Sequence, residues 1–90
     1  MATVVLTTSL REYTGGITEI SASGATVSKL LLDLDTRLPG IRAYVVSETG
    51  ALRRHVNIFV DGELVSDRAT LTDALAPKSI VHILHAVSGG

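Results

Sequence analysis

The pattern of hydrophobic and polar positions begins with two short apolar runs separated by a glycine turn. Residues 3–7 are rich in β-branched and apolar side chains and predict a first strand. Residues 17–22 predict a second strand. Thr14-Gly15-Gly16 between them predicts a turn, because glycine allows the positive φ that hairpin turns need. We therefore expect the two strands to pair antiparallel.

The hydrophobic period changes after residue 26. Five apolar residues have the i, i+3, i+4, i+7 and i+11 spacing of one helix face: Val27, Leu30, Leu31, Leu34 and Leu38. Thr26 is the expected N-cap, since its hydroxyl can accept a hydrogen bond from an unpaired amide. Pro39-Gly40 is expected to end the helix. Polar residues on the other side predict a solvated face: Lys29, Asp33, Thr36 and Arg37.

Residues 41–54 carry a weaker signal. Tyr44-Val45-Val46 fits either a short strand or the packed part of a loop, and Glu48-Thr49-Gly50 predicts a turn. The sequence therefore does not decide the secondary structure of the connection between the helix and the next strand.

The last part of the chain predicts three more strands. Residues 55–60 form the first of them, and Asp61-Gly62 predicts a tight turn into a short return strand over 63–65. Residues 66–78 predict a loop with one helical turn at Leu71 to Leu75. Residues 79–84 predict the final strand.

The resulting order is β-β-α-β-β-β, with one clearly marked helix. A single amphipathic helix must bury its apolar stripe, and one mixed sheet of four to five strands wrapped around it is the economical solution. The first and last strands would then lie side by side and parallel. This is an α+β fold of the β-grasp (ubiquitin-like) type. We expect one domain over residues 1–85 and a flexible tail over 86–90.

Composition and charge exclude several classes of function for this chain. The chain has 90 residues, fewer than the roughly 250 of a TIM-barrel enzyme. Its 8 Lys+Arg against 9 Asp+Glu leave a net charge of −1, which argues against nucleic-acid binding. We find no secretory signal and no apolar run of membrane-spanning length, so a cytoplasmic protein is expected. The absence of cysteine excludes disulfides, a thiolate nucleophile and cysteine metal ligands.

The tail is the one feature that suggests chemistry. The sequence ends in Gly89-Gly90, shortly after a predicted core strand. Without side chains, two glycines can thread a narrow channel and present an unhindered carboxylate. Five extended residues, Ala86, Val87, Ser88, Gly89 and Gly90, reach about 17 Å. A carboxylate is inert until it becomes an acyl-adenylate, so an ATP-using partner would have to activate it.

These features resemble the ubiquitin-like sulfur-carrier family of ThiS, MoaD and CysO. The resemblance covers essentially the whole chain and is closest to the CysO branch. Its motifs are Leu10-Arg11 with Thr14-Gly15-Gly16, the run from Arg54 to Val60, and the run from Ile83 to Gly90. His85 and Pro77-Lys78 depart from the family pattern, but neither changes the diglycine.

The resemblance implies that the chain is a protein co-substrate and not an enzyme. An E1-like enzyme would adenylate Gly90 using ATP and Mg²⁺, and a sulfur donor would then convert it to a thiocarboxylate. A biosynthetic enzyme would accept the sulfur, for cysteine, a thiosugar or another metabolite. A metalloprotease is a further candidate partner. No cofactor is expected on the chain itself, which is expected to be a monomer when free.

Strand alternation predicts a partner surface. Val56, Ile58 and Val60 point one way, so Phe59 points the other. On the last strand, Val81 and Ile83 form the apolar set, which leaves His82 and Leu84 beside Phe59. We expect Phe59, His82 and Leu84 to form a partner interface on the open sheet face. In the alternative, Phe59 is only partly buried or the two faces are reversed.

Other candidate sites are weaker. His82 and His85 are three apart on a strand and point to opposite faces, so with His55 they predict no metal site. Asp33 and Asp35 diverge on the helix and form no acid–base pair. The cations Arg11, Arg53 and Arg54 fit either rim contacts with an acidic partner or a solvated surface.

Other functions stay open beside sulfur transfer for cysteine or a thiosugar. One is a protein modifier that joins Gly90 to lysine amines. Another is a carrier of the molybdopterin or thiamin type, and the third is a plain β-grasp interaction domain with an incidental tail.

Overall fold

A computed structural model describes residues 1–6 and 14–85 of the chain. The strands and helices lying wholly within these residues are, in order, β1 (Ala2–Leu6), β2 (Glu19–Ala22), α1 (Val27–Arg37), α2 (Ile41–Val45), β3 (Val56–Val60), β4 (Glu63–Leu64) and β5 (Ile80–His85).

The five strands form one mixed sheet in the order β2-β1-β5-β3-β4. The first and last strands pair parallel in its centre, with Thr3 opposite Ile80 and Leu6 opposite Ile83. All other pairings are antiparallel. This topology confirms the predicted β-grasp fold, including the antiparallel first hairpin and the central parallel pair.

Helix α1 packs its apolar stripe into the core, as the spacing predicts. Val27, Leu30, Leu31 and Leu34 are fully buried, and Leu38 is nearly so. The Thr26 hydroxyl accepts a hydrogen bond from the Lys29 amide at 3.3 Å, which confirms the predicted N-cap. The helix ends at Arg37, just before Pro39-Gly40.

The turns that glycine predicts are present. Gly15 and Gly16 have φ values of 66° and 92° and lie in a turn, but Thr14, predicted to belong to that turn, is helical. Asp61-Gly62 has φ values of 51° and 87°. The Gly50 amide donates to the Ser47 carbonyl at 2.9 Å, which closes the turn predicted at 48–50. The expected strand residue Thr7 and the motif residues Leu10-Arg11 lie outside the described residues.

The segment Tyr44-Val45-Val46 is neither a strand nor a loop, because its first two residues belong to helix α2. Gly40 turns the chain with φ 97°. One carboxylate oxygen of Asp35 accepts hydrogen bonds from the amides of Gly40 and Arg42, both at 3.1 Å. This cap and the burial of Ile41 and Val45 outweigh the β propensity of the valines.

The helical turn predicted at Leu71 to Leu75 is also wrong. Asp67 accepts hydrogen bonds from backbone amides at 69, 70 and 72, which holds the chain in an irregular turn. The carbonyls of Leu71 and Asp73 then accept from the amides of Ser28 and Val27 at 2.9 and 3.0 Å. These carbonyls satisfy the first amides of α1 and are therefore unavailable for a helix of their own.

Candidate functional site

Strand β5 brings the chain to the predicted functional end of the sheet. Its last residue, His85, is the register partner of Val56 at the start of β3. The tail residues Ala86, Val87, Ser88, Gly89 and Gly90 lie outside the described residues, so their predicted role stays a prediction. The surfaces beside this end of β5 can be described.

The predicted partner surface lies on the sheet face that α1 does not cover. Val56 and Ile58 of β3 and Val81 and Ile83 of β5 are fully buried beneath the helix. Phe59, His82 and Leu84 alternate with them and are half-buried. Phe59 is the register partner of His82, and Asn57 is that of Leu84. The structure therefore places the three predicted residues on one face, and their contact with a partner stays a prediction.

The structure extends this face by residues that the sequence reading did not include in the interface. Leu64 of β4 is the register partner of Phe59 and is 51% exposed. Val5 of β1 is the register partner of His82 on its other side. Together they form a cross-strand row, Leu64–Phe59–His82–Val5, beside Ile80, which is 45% exposed. The sequence signal for Leu64 was the turn at Asp61-Gly62, because a hairpin closed there places Leu64 opposite Phe59.

Arg68 is a second feature that sequence reasoning missed. Its guanidinium donates to the carbonyls of Arg53 and Val56 at 2.9 and 3.0 Å, and to the Asn57 side-chain oxygen at 3.2 Å. It thereby ties the loop that contains it to the start of β3, beside the end of β5. An arginine in an irregular loop carries no periodic signal, so its role depends on tertiary contact.

The carboxylates with shifted pKa values have structural partners. Donation by the Ile80 amide and then the Ser79 hydroxyl lowers the pKa of Asp61. The Thr70 and Thr72 hydroxyls lower the pKa of Asp67 far below its usual range. Groups held ionised in this way brace turns and are unsuited to general acid catalysis at neutral pH.

Asp33 and Asp35 contact different parts of the chain, in agreement with their predicted divergence. Asp33 accepts from the Ser23 amide at 2.8 Å and from Arg37 at 3.0 Å, and both bonds lower its pKa. Asp35 caps α2, as described above. The pair therefore forms no shared acid–base site.

The histidines do not gather into a metal site among the residues described. Across residues 1–6 and 14–84, no three His, Asp or Glu side chains are placed to hold an ion. The His55 ring lies 5.6 Å from that of Tyr44, whereas His82 lies on the open face. Within the same ranges, no helix is long and apolar enough to cross a membrane.

Comparison with known proteins gives a consistent set of similarities. The model of the ThiS family matches residues 4–90. The sulfur carrier protein CysO of Mycobacterium tuberculosis is 41% identical over 90 residues, which cover 98% of this chain and 97% of that protein.

Two solved structures show the same similarity in three dimensions. The crystal structure of the BexX/CysO complex of Amycolatopsis orientalis contains a chain with 35% identity and a TM-score of 0.89, with full coverage of both chains. Small archaeal modifier protein 1 of Methanosarcina acetivorans is 27% identical with a TM-score of 0.80, over 99% of this chain and 95% of that one.

Proposed function

The chain belongs to the ThiS family, and from this premise we propose that it is a sulfur carrier whose carrying group is the carboxylate of Gly90. The observation that carries the proposal is the 41% identity to a sulfur carrier protein over nearly the whole of both chains. The chain would act as a co-substrate of its partners and not as a catalyst.

The proposed chemistry follows from the low reactivity of a carboxylate. An E1-like partner uses ATP and Mg²⁺ to join the Gly90 carboxylate to AMP, and pyrophosphate leaves. A sulfide-level donor then attacks the carbonyl carbon, AMP leaves, and a thiocarboxylate remains. Since Gly89 and Gly90 have no side chains, they offer little steric resistance within a partner's active site.

The E1-like partner is proposed to dock on the open face of the sheet. Phe59 and Leu84 are half-buried apolar side chains there, and Leu64 and Ile80 are more exposed. An uncovered group of apolar side chains on one face of the sheet is typical of a protein interaction surface. A relative of this chain has been solved in a complex named BexX/CysO, which supports binding to a partner protein.

The sulfur acceptor is proposed to be a biosynthetic enzyme. The similarity to CysO favours cysteine as the product, and a thiosugar or another sulfur metabolite is the next candidate. A metalloprotease acting on the carrier fits the same scheme. Genes beside this one that encode a pyridoxal-phosphate-dependent synthase and a metalloprotease would favour cysteine.

A second candidate function is conjugation to other proteins. Small archaeal modifier protein 1 shares this fold at 27% identity and is named as a protein modifier. Both functions use the same adenylate and differ in the nucleophile that attacks it. A lysine amine in place of sulfur would give a branched Gly-Gly-lysine product.

Mass spectrometry of the full chain recovered from cells tests the proposal. Sulfur carriage predicts the mass change for exchange of one oxygen for sulfur, located at Gly90, and its loss when Gly90 is deleted. Branched Gly-Gly-lysine peptides without that exchange would support the modifier instead. Unchanged sulfur products after deletion of Gly89-Gly90 would contradict sulfur carriage. If Gly-Gly-lysine peptides were absent as well, both functions would be contradicted and an incidental tail favoured.

A further inference from the structure

Three arginines lie together at the end of the sheet where β5 finishes. Arg53 and Arg54 lie just before β3, with His55 between them and its first residue, Val56, which is opposite His85. Arg68 donates to the carbonyls of Arg53 and Val56 from the neighbouring loop. The sheet register therefore places all three cations beside the point at which the chain continues into residues 86–90.

These cations lack a carboxylate counter-ion in the described part of the chain, where the one recorded ion pair joins Arg37 and Asp33. Arg53 donates to the Ala43 carbonyl at 3.0 Å, and all three acceptors of Arg68 are neutral. Arg54 is exposed and has no hydrogen bond to a described residue. Arg54 is thus the most accessible of the three cations, whereas Asp67 adjoins Arg68 in sequence and Asp35 and Glu48 line a groove with Arg53.

A shallow, open groove of about 400 Å³ is lined by Ala43, Tyr44, Arg53 and His55. A neighbouring groove brings Asp35 and Glu48 near Arg53, but neither lies within the 4.0 Å of an ion pair. Arg53 is half-buried and donates through Nε to the Ala43 carbonyl. Its Nη groups have no ion pair among the described residues and can donate to a partner's carboxylate.

We infer that Arg53, Arg54 and Arg68 form the contact for an acidic rim on the adenylating partner, around the opening that receives the tail. The inference rests on the proposed function and adds the charge of the partner's surface. Arg68 also holds Asn57, whose register partner Leu84 lies on the open face, so the basic end is continuous with the proposed docking surface. One partner surface could cover both.

A protein fits this cluster better than a nucleic acid. Nucleic-acid binders commonly neutralise about 6–10 phosphates, and three cations on a chain of net charge −1 are too few. Charges at the rim of a protein interface act mainly by steering encounter, which requires only a few complementary pairs.

The test compares Arg54→Glu with Lys78→Glu in the full chain. Both residues are exposed and both changes reverse one charge, but Lys78 precedes β5 at its opposite end. We expect Arg54→Glu to lower the association rate with the adenylating partner about tenfold at low salt, and the deficit to shrink at about 0.5 M salt. Lys78→Glu should stay within about twofold of the wild type under the same conditions.

The outcomes separate this inference from the proposed function. Equal effects of the two substitutions, or no effect of Arg54→Glu while the wild type is adenylated, would overturn the inference alone. Failure of the wild type to be adenylated at saturating partner would instead remove the proposed function. Arg54-dependent binding of a single-stranded RNA probe, with unchanged partner association, would assign the cluster to nucleic acid and overturn the inference.

Discussion

Phe59 and His82 are register partners on the adjacent strands β3 and β5, and both side chains lie on the sheet face that α1 does not cover. Phe59 follows the fully buried Ile58, and the fully buried Val81 and Ile83 flank His82. The pair thus lies above the core without belonging to it, in a row with Leu64 and Val5.

Replacing Phe59 with Ser should weaken the partner interaction and leave the domain folded. The loss of an aromatic anchor from an interface centre costs about 1–2 kcal/mol, so kcat/KM for adenylation should fall about five- to thirtyfold. Steady-state adenylation with the E1-like partner measures this change.

Ile58→Ser is the matched control, since Ile58 is fully buried and adjacent in sequence. A buried hydroxyl and the cavity around it should destabilise the fold by about 3 kcal/mol or more. Denaturant unfolding of both variants distinguishes the two faces. Equal destabilisation by Phe59→Ser would place Phe59 in the core and contradict the interface.

Replacing Gly24 with Ala should destabilise the domain through a clash with α1. A Cβ at Gly24 would lie 2.3 Å from the Leu30 amide nitrogen and 2.7 Å from the Leu30 Cα, and a helix backbone cannot yield cheaply. We expect a loss of about 2–3 kcal/mol in the free energy of unfolding. Chemical denaturation measures it.

Gly40→Ala provides the comparison for Gly24. Its Cβ would meet nothing within 4 Å, but its φ of 97° strains any side chain. Backbone strain alone should cost about 1–2 kcal/mol. A loss at Gly24 no larger than that at Gly40 would show that the close approach to α1 can relax.

Removing the hydroxyl of Thr26 should weaken the start of α1. The Thr26 hydroxyl accepts from the Lys29 amide, and loss of an N-cap side chain costs about 1 kcal/mol. Thr26→Ala should therefore lower the free energy of unfolding by about that amount. Thr26→Ser keeps a capping hydroxyl and should retain most of the wild-type stability. Equal stability of the two variants would mean that the carbonyls of Leu71 and Asp73 suffice to cap the helix.

Asp61 should make stability depend on pH in the acid range. Because the Ile80 amide and the Ser79 hydroxyl lower its pKa in the folded chain, its stabilising effect is complete above the unfolded pKa of about 3.9. That contribution is lost as the pH falls from near 4 through the lower pKa of the folded state.

Asp61→Asn isolates the charge, since asparagine also tolerates the φ of 51° at this position. Unfolding measured from pH 6 to pH 2 should show a shallower acid loss in this variant than in the wild type. Identical pH profiles would show that Asp33, Asp67 and Asp73 account for the whole dependence, since hydrogen bonds lower their pKa values too.

The sequence by itself determined the elements that have a strong local period or a specific turn. The stripe from Val27 to Leu38 gave α1 its buried face, and Asp61-Gly62 set the hairpin whose register brings Leu64 beside Phe59. Alternation in β3 and β5 assigned Phe59, His82 and Leu84 to the outer face. These features were predictable because side-chain direction in a helix or strand follows from position alone.

Tertiary structure decided the segments whose hydrogen bonds come from elsewhere in the chain. The Asp35 carboxylate caps α2, and the amides of α1 bind the carbonyls of Leu71 and Asp73, so neither segment has the form that its local propensity predicts. Arg68 reaches the carbonyls of Arg53 and Val56 across 15 and 12 residues of sequence. Long-range partners of this kind leave no periodic trace, because the groups that satisfy a backbone amide or carbonyl meet only after the chain has folded.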